Sequence, residues 1–413
     1  MLIFYKSMDI SASVIDVLKA IFFLDTPTRK DIARFAGLST VSVTAILGKL
    51  VEEGLVAASG KTSSGGRPSA IYRIDGGFGC TLGIFVGSDR SRITAVNSAG
   101  EILDERGFTL SLSSLAGEHI KDILDQVSLE ARRFLDGERL QGQRMFAAGV
   151  AVPGMVDTER GIWLHGLQFS GIEHVEIGAA LGKALNLPVV LEDPARCAAQ
   201  LALSRIGSAA AGELVFLYLG SGVGAGIIVG GELYRGSRGL AGEVGHFIVD
   251  QGGARCSCGN VGCLETVVSV PAILRRFQQR LSEGVISRLQ RTDPAALTLE
   301  NIREAAQDGD RLAQSTLFEI GDFLGDACAK LIQLYNPRTL IIGGPAGMLG
   351  EFFREATLQK IRQQVIPEML VDLHLEFNAS ESGDEALGSA LIAQRWAWQH
   401  IGQLMRGQSG TTS

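Results

Sequence analysis

The chain has 413 residues, 46% of them hydrophobic and 20% charged, the balance of a folded globular protein rather than a disordered one. That length exceeds one ordinary core and predicts two or three domains. A formal charge of −7 excludes a surface that is basic all over, so any contact with nucleic acid must come from a local patch.

Residues 1–75 supply a contrast, with nine Lys/Arg against seven Asp/Glu, whereas the rest carries 29 against 38. The opening MLIFYKSMDI lacks the basic-then-apolar order of a signal peptide, and the expectation is a cytoplasmic protein with reduced cysteines. Val14, Val17, Leu18 and Ile21 form one apolar stripe of a first helix, which Pro27 ends. A second, short helix is predicted from Thr28, with Ile32, Phe35 and Ala36 facing inward. Gly37-Leu38-Ser39 makes a tight turn, and a third helix starts at the N-cap Ser39, buries Val43, Ile46, Leu47 and Leu50, and stops at Gly54. Its other face offers Ser39, Thr40, Ser42, Thr44 and Lys49. Short polar side chains at the start of a second helix after a glycine-containing turn are the pattern of a helix-turn-helix. Two strands follow, 55–58 and 70–74, around the acid-free S-G-K-T-S-S-G-G-R-P-S with Lys61 and Arg67, which reads as a wing. Residues 1–76 are therefore expected to form a winged helix-turn-helix on double-stranded operator DNA, touching it through Ser39, Thr40, Ser42, Thr44, Lys49 and Arg67. The alternative reading is a three-helix domain with a solvated face.

From Cys80 the pattern changes to glycine-punctuated strands alternating with helices. T-L-G-I-F-V-G, R-I-T-A-V-N and G-E-I-L-D-E-R-G read as consecutive antiparallel strands, followed by a helix over about 118–134 and the strand A-A-G-V-A-V-P-G-M-V-D. A second round is predicted from Leu187: P-V-V-L-E-D, the helix A-R-C-A-A-Q-L-A-L-S, and a hairpin over 214–229. The uncharged run Leu214 to Gly231 is long enough for a membrane helix, but six glycines and a serine break it into strands, and no membrane segment is expected. Pro271 to Tyr335 is mostly amphipathic helix, and R-T-L-I-I-G-G-P is one more strand. Two rounds of mixed sheet and helix imply a two-lobed α/β body with a cleft between its lobes.

His246, Cys256, Cys258 and Cys263 stand at the spacing His-x9-Cys-x-Cys-x4-Cys, in a stretch with glycines at 252, 253, 259 and 262. Three thiolates and an imidazole suit a tetrahedral structural zinc ion. A disulfide fits poorly with a reducing compartment. Cys80, Cys197 and Cys328 read as small buried apolar residues.

At this point the residues resemble the repressor, open-reading-frame and kinase group, shortened to ROK. G-E-V-G-H at 242–246 followed by C-S-C-G-N-V-G-C-L-E at 256–265 carries the likeness, with P-G-M-V-D at 153–157, G-S-G-V-G-A-G at 220–226 and L-I-I-G-G at 340–344 in support. The resemblance extends from the winged helix to about Ala393. It implies an actin-like, ribonuclease-H-like body of the sugar-kinase type over 77–398, a structural zinc at 246–263, oligomerisation as a homodimer or homotetramer, and a sugar pocket between the lobes. Glu243, His246 and Glu265 match the family's sugar-facing residues, with Asp193 beside them.

Two positions depart from the kinases of that group. Phe85 stands where they have the aspartate that handles phosphates and magnesium, and Asp89 is out of register with it. In Glu192-Asp193-Pro194-Ala195-Arg196, Pro194 stands at the catalytic base, and proline offers no acceptor. The glycine-rich turn reads as a packing device more readily than as a phosphate cradle. The expectation is a transcriptional regulator, a repressor of carbohydrate genes, that senses a sugar or sugar derivative and has no enzymatic activity. The alternatives are an active sugar kinase fused to a DNA-binding module, and a DNA-binding adaptor answering to a protein partner. Residues 399–413 are expected to be a frayed tail.

Overall fold

The computed structural model describes residues 11–24, 27–62, 69–87, 90–110, 120–166, 172–207, 212–378 and 383–407. The first three helices are α1 (Ala12–Phe23), α2 (Arg29–Ala36) and α3 (Thr40–Glu52). Thr28 and Asp31 satisfy each other's backbone donors in a capping box that starts α2, and Gly37, at φ 64°, ends it in the left-handed region. Ser39 then accepts from Ser42 N at 3.1 Å and opens α3. The two helices meet at 110°, within the helix-turn-helix range of about 90–120°. Strands β1 (Val56–Thr62) and β2 (Ser69–Ile74) pair antiparallel behind them. The predicted stripe of α1 is buried, as are Ile32, Val43, Leu47 and Leu50. Phe35 is a correction: it is 50% exposed, and Ala33 takes the inward place beside Ile32. Arg67 and the rest of 63–68 lie outside the described residues.

The first lobe holds β3 (Cys80–Phe85), β4 (Ser91–Asn97), β5 (Ile102–Phe108), α4 (Ile120–Leu135) and β6 (Met145–Ala151). A small sheet of β7 (Met155–Asp157), β8 (Ile162–His165) and β9 (Glu173–Val175) follows, then α5 (Ile177–Leu185) and β10 (Val189–Glu192). The main sheet runs β10-β6-β3-β4-β5, with β6 and β10 parallel to β3 and the other pairs antiparallel. P-V-V-L-E-D therefore closes the first sheet; it does not open a second round, because β10 pairs in parallel with β6.

After α6 (Pro194–Ile206) the second lobe repeats the plan with β11 (Leu214–Leu219), β12 (Val223–Val229) and β13 (Glu232–Leu233). Helices α7 (Glu265–Val268), α8 (Val270–Ser282), α9 (Leu299–Gln307) and α10 (Arg311–Tyr335) precede β14 (Thr339–Gly343), and α11 (Glu351–Gln364) precedes β15 (His374–Phe377). Its sheet runs β13-β12-β11-β14-β15, the same order as the first. The chain ends in α12 (Asp384–Gln399) and α13 (Ile401–Gly407). This is a duplicated, actin-like α/β body preceded by a winged helix-turn-helix. Among the described residues no single helix is long and apolar enough to cross a membrane.

Two helices lie between the main sheets, each packed against the sheet that its own lobe does not supply. Helix α6 leaves β10 of the first lobe yet packs on β11 and β12, while α12 follows β15 yet packs on β3 and β6. Glycines set the spacing at every layer. A Cβ on Gly83 or Gly149 would overlap the carbonyls of Ala386 and Ser389 in α12; one on Gly388 would overlap Cys197 O in α6; one on Gly226 would strike Ala195 and Ala199.

The far end of α12 enters a different core. Trp398, 2% exposed, stacks on Phe22 of α1 with centroids 5.2 Å apart and meets Phe78 at 5.0 Å. Ala393, Ala397, Ile401 and Met405 share one apolar cluster with α1, α2, α3 and β2. The expected frayed tail is thus corrected for 401–407, which form a helix with Ile401 1% exposed; 408–413 lie outside the described residues. Trp398→Ala is expected to cost about 3–5 kcal/mol, read as a lower urea midpoint, with the earliest loss of hydrogen-exchange protection in α1.

Candidate functional site

Six regions meet at a cleft between the lobes: the end of β3, the segment after β6, the start of α6, the β11–β12 hairpin, the loop after β13 and the start of α7. The cleft encloses about 600 Å³ open to solvent, and Phe85, Asp193, Pro194, Tyr218, Glu243 and Glu265 are among its lining residues. Each carboxylate is placed by a local device. Glu243 immediately precedes the short 3-10 turn Val244–His246. Glu265 is the first residue of α7, and its Oε2 accepts from Val223 N at 3.1 Å in the turn that joins β11 to β12. Burial, reinforced by Asp193, pushes Glu243 up to about 7 against the pull of Arg196. Burial also raises Glu265, against the hydrogen bond from Val223.

Asp193 lines the cleft, but its carboxylate is already engaged. It caps α6 by accepting from Arg196 N at 3.0 Å, and it pairs with the Arg196 side chain. That side chain is 1% exposed and also meets Glu192 at 2.7 Å and donates to Gly239 O at 2.6 Å. Arg235 donates to the other Glu192 oxygen at 2.9 Å. This buried network ties the end of the first-lobe sheet to the second-lobe loop that leads to Glu243. Sequence reasoning did not find it, because Glu192 and Arg235 stand 43 residues apart. A second pair escaped notice as well: Tyr218, on the cleft wall, donates to Glu385 in the first turn of α12 at 2.6 Å.

Phe85 ends β3 and faces the cleft, and Pro194 is the first residue of α6. Neither offers a side-chain oxygen to a metal, a phosphate or a proton. In the turn at 220–226, Gly226 is required by the close approach of α6 and the Val223 amide is taken by Glu265. Both features favour the packing reading. Asp89 and residues 167–171 lie outside the described residues.

His246, Cys256, Cys258 and Cys263 come together, with their ligand atoms all within 4.8 Å of one another. Cys258 Sγ and Cys263 Sγ are 3.6 Å apart, and Cys256 Sγ is 3.7 Å from His246 Nδ1. Bonds of about 2.0–2.3 Å in a tetrahedron demand ligand edges of roughly 3.5–3.8 Å, so the four side chains fit a zinc-sized ion. Backbone bonds shape the loop: Cys256 N donates to Asn260 O, and Val249 N to Gly262 O. Gly262, at φ 76°, lies so close to Asp250 that a side chain would overlap its carbonyl. The other ring nitrogen of His246, Nε2, points to Glu243 Oε2 at 3.7 Å. One imidazole therefore joins the cysteine cluster to the cleft.

Among the predicted DNA contacts, Ser39, Thr40, Ser42, Thr44 and Lys49 are all exposed on α3. Thr44 spends its hydroxyl on Thr40 O at 2.7 Å, and Ser39 and Ser42 pair at 2.8 Å. Val41, 78% exposed, stands among them as an apolar group that the polar reading passed over.

Residues 81–396 match the ROK family. A xylose repressor of Caldicellulosiruptor bescii is 28% identical over 375 residues, covering 90% of this chain and 92% of its own length. A glucokinase of Halalkalibacterium halodurans is 28% identical over 311 residues, covering 74% of this chain and 91% of its own. The crystal structure of a ROK family transcriptional regulator, a homologue of the E. coli Mlc protein, superposes with a TM-score of 0.78 at 27% identity, covering 95% of this chain and 98% of that one. The chain belongs to the ROK family.

Proposed function

We propose that this chain is a transcriptional repressor of carbohydrate uptake or catabolism genes, whose kinase-like body binds a sugar or sugar derivative that weakens its hold on operator DNA. One observation carries the reading: the cleft keeps Glu243 and Glu265, with His246 against Glu243, while Phe85 and Pro194 stand where a kinase of this family needs carboxylates. Asp193, which a one-residue shift would offer as a substitute base, is held by Arg196. The likeness to regulators over nearly the whole chain, winged helix included, supports the same reading.

In this mechanism Glu243 and Glu265 accept hydrogen bonds from paired sugar hydroxyls, and His246 orients Glu243 from the cysteine cluster. Zinc held by His246, Cys256, Cys258 and Cys263 fixes the loop that carries these groups. Ligand binding favours one closure of the lobes and so shifts a population between two states. Helix α12 supports such coupling, since its first turn holds the cleft residue Tyr218 and its last turn is packed into the DNA-binding module. In a dimer or tetramer a small change there alters the spacing of paired recognition helices, and half-sites whole turns apart are then no longer met together.

The discriminating experiment is ATP turnover by the full chain with a panel of hexoses, pentoses and amino sugars. No turnover above background is expected, and turnover at an enzymatic rate would establish the kinase reading, which the glucokinase relative keeps in view. With an effector in hand, operator affinity is expected to fall by roughly 5–150-fold. Glu243→Ala should keep the operator affinity of the free protein and lose most of that response in a gel-shift titration. Cys256→Ser is expected to lose zinc by metal analysis and operator binding with it; normal DNA binding without metal would break the proposed link.

A further inference from the structure

Three features of the cleft could attract an anion, and in each the chain has already placed a carboxylate of its own. The N-terminus of α6, with its free amides and positive dipole end, is capped by Asp193 through Arg196 N at 3.0 Å. The Arg196 guanidinium is 1% exposed and lies between Glu192 and Asp193. The Val223 amide, at the glycine-rich turn, donates to Glu265 at 3.1 Å. Among the described lining residues the charged groups are Asp193, Glu243 and Glu265, all acidic, with neither lysine nor arginine. Phe85, Pro153 and Pro194 add apolar surface to the wall, and Ser221 and Tyr218 bring hydroxyls to it.

We propose that this cleft takes a neutral, unphosphorylated saccharide and rejects sugar phosphates. The inference deepens the sugar-effector reading above and rests on it. Hydroxyls of a neutral sugar pair with Glu243 and Glu265, and its C–H surface packs on Phe85 and Pro194. A phosphate would lose its hydration and meet neither lysine nor arginine among the described lining residues, while Arg196 and the Val223 amide are engaged by the chain's own acids. Like charges a few ångströms apart in a half-buried cleft add repulsion to that loss.

The test is calorimetric titration of the full-length protein with glucose, xylose and N-acetylglucosamine, their methyl glycosides, glucose 6-phosphate and N-acetylglucosamine 6-phosphate. At least one neutral compound is expected to bind, with the phosphate of a binding parent weaker by about tenfold or more. A sugar phosphate binding as tightly as its parent, or more tightly, overturns the proposal. Binding by no compound of either kind overturns the sugar-effector reading itself. Asp193→Asn keeps a competent helix cap while removing one charge, so it should fold and narrow the discrimination by about threefold or more. An unchanged ratio in a variant that melts like the parent would refute the assignment of that discrimination to the chain's own carboxylates.

Discussion

Backbone-to-backbone contact between the two central helices and the two main sheets is the constraint on which the body depends. At Gly83, Gly149, Gly226 and Gly388 a single added carbon would collide with main chain or with a neighbouring helix, so the layers cannot settle closer or drift apart without losing register. Interiors packed this tightly do not deform smoothly; they move as blocks between discrete arrangements. The crossing of α6 and α12 makes each lobe's helix part of the other lobe's wall. Any change in lobe angle is therefore felt along α12, which runs from the cleft to the aromatic cluster around Trp398.

The cleft shows a different economy. Its polar groups are arranged to satisfy one another first and a ligand second. Glu192, wholly buried, is balanced by Arg196 and Arg235, and Arg196 is balanced in turn by Asp193. A buried charge left single would be strongly destabilising, and Arg196 is guarded against that by two acids, Glu192 and Asp193. What remains for a visitor is the pair Glu243 and Glu265, both pushed above the usual carboxylate range by burial. The histidine that touches Glu243 on one side and Cys256 on the other sets the distance between the cleft and the cysteine cluster.

Legibility in the sequence followed the range of the interactions. The helices and strands of the first 74 residues were readable because stripes, caps and turns act over three or four positions, as at Thr28–Asp31 and Ser39–Ser42. The cysteine cluster was readable because a metal site recruits ligands within one short loop. Helix α12 was not foreseen: 12 of its 16 residues are buried, so it has no polar face and no period to detect. The Arg235–Glu192 and Tyr218–Glu385 pairs were invisible for the same reason that they matter, since they join segments far apart in the chain. Phe35 was misassigned because a stripe on an eight-residue helix is too short to distinguish Ala33 from Phe35 as the position that turns inward.

The cluster that unites α1 with Trp398, Ile401 and Met405 has a bearing on how the protein is made. Synthesis proceeds from the N-terminus at about 5–20 residues per second, and early segments ordinarily settle first. Here α1 waits for α12 and α13, far downstream in the chain, before its hydrophobic face is covered. A chain halted before α12 emerges is left with the apolar face of α1 bare to solvent and to other chains.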